Sequence, residues 1–396
     1  MKRVPNDGIR TVETRLAAVA SNAEDHFAAS PIATACIPAF RRTLLRWYDK
    51  NRRDLPWRKT RDPYAIWLSE IMLQQTRVAA VLNHYRVFLK WFPSIAALAA
   101  ASEDAVLAAW SGLGYYRRAR MLRECARQIV SDHRGRFPEN AKVLQTLPGI
   151  GRYTAAAIGS IAFNEPVALV DGNVERVLER LSGRNLTPQQ SWERAQALLS
   201  KLRPGDFNQA MMELGATVCL PREPRCLACS VRQWCAAQGE IPRTKALAPQ
   251  KQKQIWCVLD RRDGHVRLVQ RPKTASLMAG MWELPQWTDD PRALPPGKTS
   301  GFVSGRRFSD TENAPKSATP SGAGISTALG KPAAHAAPWR TFRHSITVTN
   351  YTVHVLRHSG RNGASCARGK RIAIDKIARL PITGLTRKIL KADGII

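Results

Sequence analysis

The sequence predicts an α+β protein in which an all-helical module is followed by a smaller α/β domain. Three observations predict this class. Amphipathic helical periodicity runs from Phe40 to about Pro242, short β-branched runs replace it afterwards, and four of the eight cysteines crowd into residues 219–235. The 396 residues are too many for one ordinary core and enough for two domains.

Changes in composition place the domain limits. Residues 1–37 lack sustained periodicity and are predicted to form a loosely ordered extension. Residues 38–242 are predicted to form the helical domain, 243–254 a linker and 255–396 the second domain. Within the second domain, residues 289–338 are rich in Pro, Gly, Ser, Thr and Ala. Because that composition buries little surface, we expect a flexible insertion there.

Local signals justify the helices. Asp62-Pro63 is typical of an N-cap followed by a proline in the first turn, and it predicts a long helix through Val87. Glycine and proline breakers separate the later helices, at Phe92-Pro93, Ser111-Gly112, Gly135 and Pro148-Gly149.

Local signals also justify the strands. Ile255–Asp260 and Val266–Gln270 are short β-branched runs, and Asp263-Gly264 between them is a hairpin signal. Ile346–Val355 is predicted to form a further strand because apolar and polar side chains alternate along it.

The charge indicates the partner. The chain has 61 Lys and Arg against 31 Asp and Glu, a net charge of +30, which favours binding to a polyanion such as nucleic acid. A merely basic soluble protein and a membrane-surface binder remain as alternatives. The sequence has no run of about 18 apolar residues and no typical secretory signal, so we expect an intracellular, cytoplasmic protein without a membrane partner.

The four crowded cysteines have the spacing C-x6-C-x2-C-x5-C, at Cys219, Cys226, Cys229 and Cys235. In a reducing compartment such crowding favours a metal site over disulfides. Four thiolates on a short loop suit either zinc or a [4Fe–4S] cluster. The same loop contains Arg222, Arg225 and Arg232, which are able to meet phosphates.

A glycine-rich turn, Leu147-Pro148-Gly149-Ile150-Gly151, lies between helical patterns at 141–146 and 152–162. Gly149 and Gly151 let the backbone approach another chain closely, and the N–H groups that begin the second helix suit a DNA phosphate. An ordinary tight helix–helix turn is the alternative.

Together with Val170-Asp171-Gly172-Asn173-Val174, this turn resembles the helix-hairpin-helix, Gly/Pro-rich loop and aspartate signature of the endonuclease III superfamily of DNA repair glycosylases. The cysteine spacing resembles the cluster loop of that superfamily. The resemblance favours a [4Fe–4S] cluster over zinc, with an architectural role.

Three further segments resemble the MutY family of adenine DNA glycosylases, namely Leu55–Arg58, Trp67–Thr76 and Gly112–Tyr116. The resemblance covers about residues 40–290 and returns near 339–356. It implies a monomer that flips adenine out of A:8-oxoguanine or A:G mispairs in duplex DNA and hydrolyses its glycosidic bond. Tyr153 stands where strand-cleaving relatives have a lysine, so a monofunctional enzyme is expected.

Two carboxylates are expected to perform the catalysis. Helical spacing gives Glu70 the apolar neighbours Ile66, Trp67 and Leu73, which would raise its pKa and keep a proton available. The family resemblance assigns the corresponding Glu to protonation of adenine N7 and then to activation of water. Asp171 is expected to stabilise the cationic sugar, although an N-cap role is the alternative. No catalytic metal is required.

The resemblance also implies supporting residues. Tyr153 and Asn173 would position Asp171 and the sugar. The expected DNA and substrate contacts are Arg58 with the flipped adenine, Gln75, Leu113 and Tyr115 beside the lesion, and Gly149 and Gly151 with phosphate.

In the second domain, Arg271-Pro272 through Gly280–Pro285 resembles the Nudix-like recognition domain of the family. The Glu-rich metal helix of a working Nudix hydrolase does not follow, so a lesion reader is expected. The family usually has Phe-Ser-His where this chain has Phe342, Arg343 and His344. Arginine pairs with guanine O6 and N7 or with phosphate. We therefore expect contact with the oxidised guanine to persist, while discrimination against ordinary guanine changes.

Two alternatives to the monofunctional enzyme remain. One is a bifunctional glycosylase-lyase acting on thymine glycol or another pyrimidine, which Tyr153 disfavours. The other is a non-catalytic DNA-binding module, in which Glu70 and Asp171 would be dispensable.

Overall fold

A computed structural model describes residues 32–241, 250–275, 277–288, 338–346, 349–358 and 369–396. The predicted extension 1–37 lies outside these residues up to position 31, and the predicted insertion 289–338 lies outside them up to position 337. Residues 32–37 are described, and they contribute Ile32 and Ile37 to a buried cluster. That short segment is therefore part of the folded helical region.

The first part of the chain is helical, as its periodicity predicts. The helices are α1 (Ile37–Asn51), α2 (Pro63–Leu73), α3 (Val78–Trp91), α4 (Ile95–Ala100), α5 (Glu103–Trp110), α6 (Arg117–Asp132), α7 (Ala141–Leu144), α8 (Arg152–Ala162), α9 (Gly172–Ser182), α10 (Pro188–Leu198) and α11 (Pro204–Thr217).

The long helix predicted from Pro63 through Val87 is wrong, because the chain leaves the helical conformation between α2 and α3. Gln75 in this break has a left-handed backbone, with φ of 55°. The start of the helix agrees with the prediction, since the Asp62 carboxylate accepts a hydrogen bond from the Tyr64 N–H at 3.1 Å.

Strands fill most of the second part. They are β1 (Lys251–Leu259), β2 (Arg261–Arg262), β3 (His265–Gln270), β4 (Trp282–Glu283), β5 (Gln286–Trp287), β6 (Arg340–Ile346), β7 (Thr349–Arg357) and β8 (Lys370–Ala373), with the short helices α12 (Ile374–Ile377) and α13 (Gly384–Ala392). One sheet has the order β5-β1-β7-β6, in which β1 and β7 are parallel and the other neighbours antiparallel. In the other sheet β3 pairs with β2, β4 and β8.

The hairpin between β2 and β3 follows its sequence signal. Asp263 and Gly264 both have positive φ, 48° and 70°, which suits a two-residue turn between twisted strands. The strand predicted at Ile346–Val355 is wrong at its start, because Ile346 ends β6 and β7 begins only at Thr349. β6 itself was not predicted, since polar and charged residues dominate Arg340–Ile346.

The described residues divide into two compact units. Unit 1 takes the described parts of Met1–Ile71 and Arg136–Ala246, and unit 2 those of Met72–Gly135 and Leu247–Ile396. Within unit 2, hydrogen bonds join residues 72–135 to the C-terminal segment: the Ser111 hydroxyl donates to the Ile382 carbonyl at 2.7 Å, and Arg387 Nε on α13 donates to Ser111 Oγ at 3.0 Å. These units cut across the predicted limits 38–242 and 255–396, which remain predictions.

Each unit has its own core. In unit 1, Phe40, Leu44, Val177 and Phe207 belong to one buried cluster built from α1, α9 and α11. In unit 2, apolar residues of β1, β3 and β7 pack with those of α13. Among the described residues, no helix combines the length and the apolar character needed to span a bilayer.

Candidate active site

Glu70 lies on α2 in unit 1, and its side chain is almost fully removed from solvent. Only 6% of the residue is exposed, and its helical neighbours Ile66 and Trp67 are each 1% exposed. The Tyr153 hydroxyl, from the start of α8, donates a hydrogen bond to Glu70 Oε2 at 2.7 Å. The structure therefore pairs Tyr153 with Glu70, whereas the sequence prediction had it positioning Asp171.

The environment of Glu70 favours its protonated form. The pKa of this carboxyl is raised to about 7, chiefly by burial; the Tyr153 hydrogen bond and the Arg58 charge lower it, and the Asp171 charge raises it. Burial and the same two carboxylates raise the pKa of Tyr153 well above its ordinary value. At neutral pH, Tyr153 is therefore a hydrogen-bond donor and Glu70 is close to half protonated.

Asp171 is held at the start of α9. Its Oδ1 accepts from the backbone N–H groups of Asn173 at 2.9 Å and Val174 at 2.7 Å, and its Oδ2 accepts from Asn173 Nδ2 at 3.0 Å. The carboxylate thus caps the helix by accepting hydrogen bonds from the N–H groups of its first turn. Both readings of Asp171, cap and fixed anion, fit this geometry.

A chain of hydrogen bonds leads from Asp171 along α9. Asn173 Oδ1 accepts from Arg176 Nη2 at 2.9 Å, and Arg176 also donates to the carbonyls of Gly215 at 2.7 Å and Cys219 at 2.8 Å. Because Arg176 is only 8% exposed, these bonds form in a poorly solvated region. The start of α9 is therefore fixed to the end of α11 and to the first cysteine.

Arg58 contacts an acidic residue that the sequence analysis missed. Its Nη2 donates to Glu213 Oε2 at 2.7 Å, and Arg53 makes a bidentate pair with the same carboxylate. Burial would raise the pKa of Glu213, but the two arginines outweigh it and lower the pKa to about 2. A lone Glu within the mainly apolar helix α11 was the available signal, since a buried carboxylate requires a cationic partner.

The glycine-rich turn leads directly into α8. Gly149 has φ of 76°, a left-handed conformation that favours glycine. Gly151 precedes α8 with an ordinary φ of −84°, and a Cβ added there would meet no atom within 4 Å. The fold itself therefore requires glycine at Gly149 but not at Gly151.

The four cysteines are half-buried free thiols gathered on one loop. Arg180 Nη1 lies 3.3 Å from Cys219 Sγ, and Cys235 Sγ lies 3.3 Å from the Arg180 carbonyl. Burial raises the pKa of Cys229 to about 11, and the other three cysteines act on it electrostatically. Among the described residues, no three Cys, His, Asp or Glu side chains are already grouped to hold a metal ion. In donor chemistry and proximity, the loop fits a thiolate-bound group.

Unit 2 contains the other predicted contact residues of the helical region. Gln75 lies in the break between α2 and α3, and Leu113 and Tyr115 lie in the turn between α5 and α6. Tyr115 is 50% exposed, whereas Leu113 is only 6% exposed. In this conformation Tyr115 is available to a partner and the Leu113 side chain is packed inside the unit.

The Phe342, Arg343 and His344 triplet lies on β6, the edge strand of its sheet. Phe342 is buried in the core of unit 2, Arg343 is exposed and His344 is intermediate. Burial, followed by the charge of Lys388, lowers the pKa of His344. Of the three side chains, that of Arg343 is open to a ligand and that of Phe342 supports the strand from inside.

Comparisons with known proteins agree with this architecture. The model of the HhH-GPD superfamily base excision DNA repair proteins matches residues 68–204. Adenine DNA glycosylase of Homo sapiens is 39% identical over 320 residues, covering 64% of this chain and 58% of that protein. Adenine DNA glycosylase of Mycobacterium tuberculosis is 44% identical over 200 residues, covering 49% of this chain and 66% of that protein.

A solved structure of a thermostable thymine-DNA glycosylase matches with a TM-score of 0.50 and 33% identity, covering 52% of this chain and 98% of that one. Residues 68–204 therefore match the HhH-GPD superfamily, and the chain is similar to the human and mycobacterial adenine DNA glycosylases over 64% and 49% of its length. It spans about 60% of the length of the human and rat relatives, 58% and 62% respectively.

Proposed function

We propose that this chain is a monofunctional DNA glycosylase that hydrolyses the N-glycosidic bond of adenine mispaired with 8-oxoguanine, or with guanine, in duplex DNA. The observation that supports it most is the buried Glu70, with a pKa raised to about 7 and a second carboxylate, Asp171, acting on it electrostatically. A carboxyl group that holds a proton, next to a second carboxyl group, is what acid-assisted glycoside hydrolysis needs.

Glu70 is the proton donor in this mechanism. Adenine is a poor leaving group as an anion, so a proton delivered to N7 weakens the glycosidic bond. Since the raised pKa lies near neutrality, a large fraction of Glu70 holds a proton at physiological pH. The Tyr153 hydroxyl fixes the orientation of the carboxyl at 2.7 Å. After departure of the base, the Glu70 carboxylate accepts a proton from the attacking water.

Asp171 is the fixed anion. Three hydrogen bonds hold its oxygens, so the charge needs little reorganisation as positive charge develops on the sugar. Asn173 positions this carboxylate, because its side-chain amide donates to Oδ2 and its carbonyl oxygen is held by Arg176. Arg58, held by Glu213, contributes positive charge near Glu70 and is proposed to contact the extruded base.

Tyr153 supports the monofunctional assignment. A lyase needs an amine to form a Schiff base with the sugar, and position 153 offers a phenol whose pKa is raised. The expected product is therefore an abasic site in an intact strand.

Duplex DNA is the proposed partner, and the chain is proposed to bind it through its phosphate groups. The open space at Gly151 leaves room for a sugar-phosphate backbone next to the N–H groups that begin α8. The net charge of +30 supplies the sequence-independent attraction.

The proposed cofactor is a [4Fe–4S] cluster held by Cys219, Cys226, Cys229 and Cys235. When bound, it supplies a structural cross-link that holds the loop bearing Arg222, Arg225 and Arg232. Anaerobically purified protein is expected to absorb near 400 nm and to contain about four irons per chain. A colourless protein with one zinc per chain would replace the cluster with a zinc site.

Unit 2 is proposed to contain a Nudix-like lesion reader that contacts the oxidised guanine. The exposed Arg343 on edge strand β6 supports this assignment. We expect Arg343→Ser to change the ratio of affinities for A:8-oxoguanine and A:G duplexes, while the rate of bond cleavage in the bound complex stays the same. An unchanged ratio would remove Arg343 from the reader.

The decisive experiment uses duplexes with adenine opposite 8-oxoguanine. Wild-type protein is expected to make the adenine strand sensitive to alkali without cutting it beforehand, and Glu70→Gln is expected to be inactive with unchanged DNA affinity. The single-turnover rate should decline as pH rises above about 7, because Glu70 loses its proton.

Each alternative has its own outcome. Strand cleavage before alkali, with covalent trapping by borohydride, would indicate a glycosylase-lyase. DNA binding without adenine release, or full activity of Glu70→Gln, would leave a binding module. A duplex with a mispaired thymine tests the base that appears in the name of the thermostable relative, and faster release of thymine than of adenine would refute the adenine assignment.

A further inference from the structure

Two turns of unit 2 have backbone conformations that ordinary residues rarely adopt. Gln75, between α2 and α3, has φ of 55°, and Tyr115, between α5 and α6, has φ of 47°. Left-handed backbone is energetically unfavourable at a residue other than glycine. Such conformations persist only where surrounding contacts hold them. Both residues are among those expected to contact the duplex beside the target base.

One side chain contacts both turns. The Arg118 guanidinium, from α6, donates hydrogen bonds to five acceptors: the carbonyls of Met72 (3.2 Å), Gln74 (2.6 Å), Leu113 (3.3 Å) and Gly114 (3.3 Å), and the hydroxyl of Thr76 (3.4 Å). Three of these acceptors flank Gln75, and the other two immediately precede Tyr115. The two turns are therefore joined through a single planar donor.

The surroundings of Arg118 strengthen this arrangement. Its guanidinium carbon lies 5.4 Å from the ring centroids of both Trp110 and Tyr115, so the cation also rests on the aromatic ring of one expected contact residue. Burial lowers the pKa of Arg118 to about 10. In a poorly solvated place the acceptor carbonyls would be costly to leave unpaired.

We infer that Arg118 is a positioning residue that sets both turns at once, so that Gln75 and Tyr115 are presented together to the duplex when the target base is extruded. The inference rests on the proposed glycosylase function. A guanidinium suits this task because its five donors lie in one plane with fixed directions. A lysine ammonium has three donors and no fork, and does not reach two separate turns with the same geometry.

Arg118 is expected to affect extrusion of the base and not cleavage of the glycosidic bond. Without Arg118 the turns relax towards ordinary backbone conformations, and extrusion of the base becomes slower. Glu70 and Asp171 belong to unit 1, and the hydrogen bonds that orient them come from Tyr153 and Asn173 of the same unit, so bond cleavage is unchanged once the base has been extruded. The defect should therefore disappear on DNA whose target base is already weakly stacked.

The test compares Arg118→Met and Arg118→Lys with a matched control, Arg123→Lys. Arg123 lies on the same helix, and its Nε donates to the Ala101 carbonyl at 2.6 Å, away from both turns. Extrusion is followed by the fluorescence of 2-aminopurine placed opposite 8-oxoguanine, and cleavage by single-turnover adenine release. A second duplex has mismatched pairs on both sides of the target to weaken stacking.

We expect both Arg118 variants to slow the fluorescence rise and adenine release on the fully paired duplex by about 10²-fold, the size of effect that a small misplacement causes. On the duplex with mismatched flanks they should approach the wild-type rate, and Arg123→Lys should match wild type on both. If the variants were merely less folded, adenine release would fall equally on both duplexes, and that result would overturn the inference. Base extrusion by Arg118→Met at the wild-type rate would overturn it as well.

The two proposals fail differently. If wild-type protein releases no adenine from either duplex, the proposed function is wrong. If wild type is active and the Arg118 variants extrude 2-aminopurine normally, the function stands and the positioning role of Arg118 is refuted.

Discussion

At the scale of single residues, the site depends on a carboxyl group kept away from water. Glu70 lies in an apolar part of α2 and accepts a hydrogen bond from the Tyr153 hydroxyl. Asp171, by contrast, accepts three hydrogen bonds at the start of a helix. The surroundings of Glu70 therefore stabilise a charged carboxylate poorly, whereas Asp171 has several hydrogen-bond donors on its oxygens.

The raised pKa of Glu70 predicts a pH-dependent cost in stability. Folding raises the pKa from 4.5 to about 7, so the folded state binds the proton more tightly than the unfolded state. That stabilisation is complete below pH 4.5 and is lost as pH rises to about 7, a change of about 3 kcal/mol. Glu70→Gln, which stays neutral and keeps an acceptor for Tyr153, should therefore be the more stable protein at pH 8.

Urea unfolding at pH 8 and at pH 4.5 measures this difference. The advantage of Glu70→Gln should be largest at pH 8 and close to zero at pH 4.5. Equal stability at both values would mean that Glu70 is solvated in the folded protein. Tyr153→Phe serves as a control. Because it removes the hydrogen bond that stabilises the Glu70 carboxylate, this variant should lose more stability between pH 4.5 and pH 8 than wild type does.

The two roles of Asp171 predict a split between stability and activity. Asn is as good an N-cap as Asp, so Asp171→Asn should keep stability within about 0.5 kcal/mol, while Asp171→Ala should lose about 1 kcal/mol. Both variants lack the charge, and single-turnover adenine release should fall by about 10²-fold or more. Thermal melting and the glycosylase assay measure the two quantities. An active Asp171→Asn would leave only the cap role.

At the scale of elements, the close contact between α9 and α11 determines where the start of α9 lies. A Cβ added at Gly215 would lie 2.7 Å from Asn173 Cβ and 2.9 Å from its carbonyl oxygen. Only glycine allows this approach, and the same residue accepts a hydrogen bond from Arg176. The position of Asp171, the proposed catalytic anion, thus depends on a residue of another helix.

Gly215→Ala is accordingly expected to cost about 1–3 kcal/mol of stability through overpacking. Because the displaced atoms belong to Asn173, which holds Asp171, the rate of adenine release should fall as well. Gly239→Ala is the matched control, since its Cβ would lie 3.6 Å from the nearest atom, an ordinary contact. A Gly215→Ala protein with wild-type stability and rate would show that α9 and α11 adjust freely.

Local sequence signals predict some elements of this fold, whereas others depend on contacts between distant residues. The glycine-rich turn and the Asp62-Pro63 helix start are local, and their residue types predict them. The break between α2 and α3 is not local, because the segment contains neither glycine nor proline, and the carbonyls it releases are bound by Arg118, more than 40 residues away. Likewise, the ion pair of Arg58 and Glu213 joins positions 155 apart.

The site follows the same division. Motif resemblance selects Glu70, Asp171 and Asn173 as candidates, and the N-cap geometry of Asp171 and Asn173 follows from their own helix start. The sequence prediction had Tyr153 positioning Asp171, whereas its hydroxyl donates to Glu70, 83 positions away, a long-range contact that local patterns do not reveal. Strand β6 was missed since its polar residues face solvent at a sheet edge and only Phe342 is buried.

At the scale of the whole molecule, the dominant property is charge. A net +30 means that affinity for DNA should fall steeply as salt displaces protein from phosphates. Arg222, Arg225 and Arg232 are exposed on the cysteine loop and are expected to supply part of this attraction. They make their contribution without regard to base sequence.

Replacing these three arginines with glutamine should weaken binding equally for A:8-oxoguanine and fully paired duplexes. The slope of log affinity against log salt concentration should decrease in magnitude by about one for each lost phosphate contact. Fluorescence anisotropy at several salt concentrations measures both effects, and absorption near 400 nm checks that the loop is intact. An unchanged slope would place the loop away from DNA.

The cap formed by Asp171 has a consequence for inactivation by heat. The first turn of a helix frays before the rest of the protein unfolds. Because the Asp171 carboxylate caps that turn, each fraying event also moves the carboxylate out of the position proposed for catalysis. Loss of turnover on warming should therefore precede the cooperative melting of the fold, and a bound substrate analogue that engages the carboxylate should delay it.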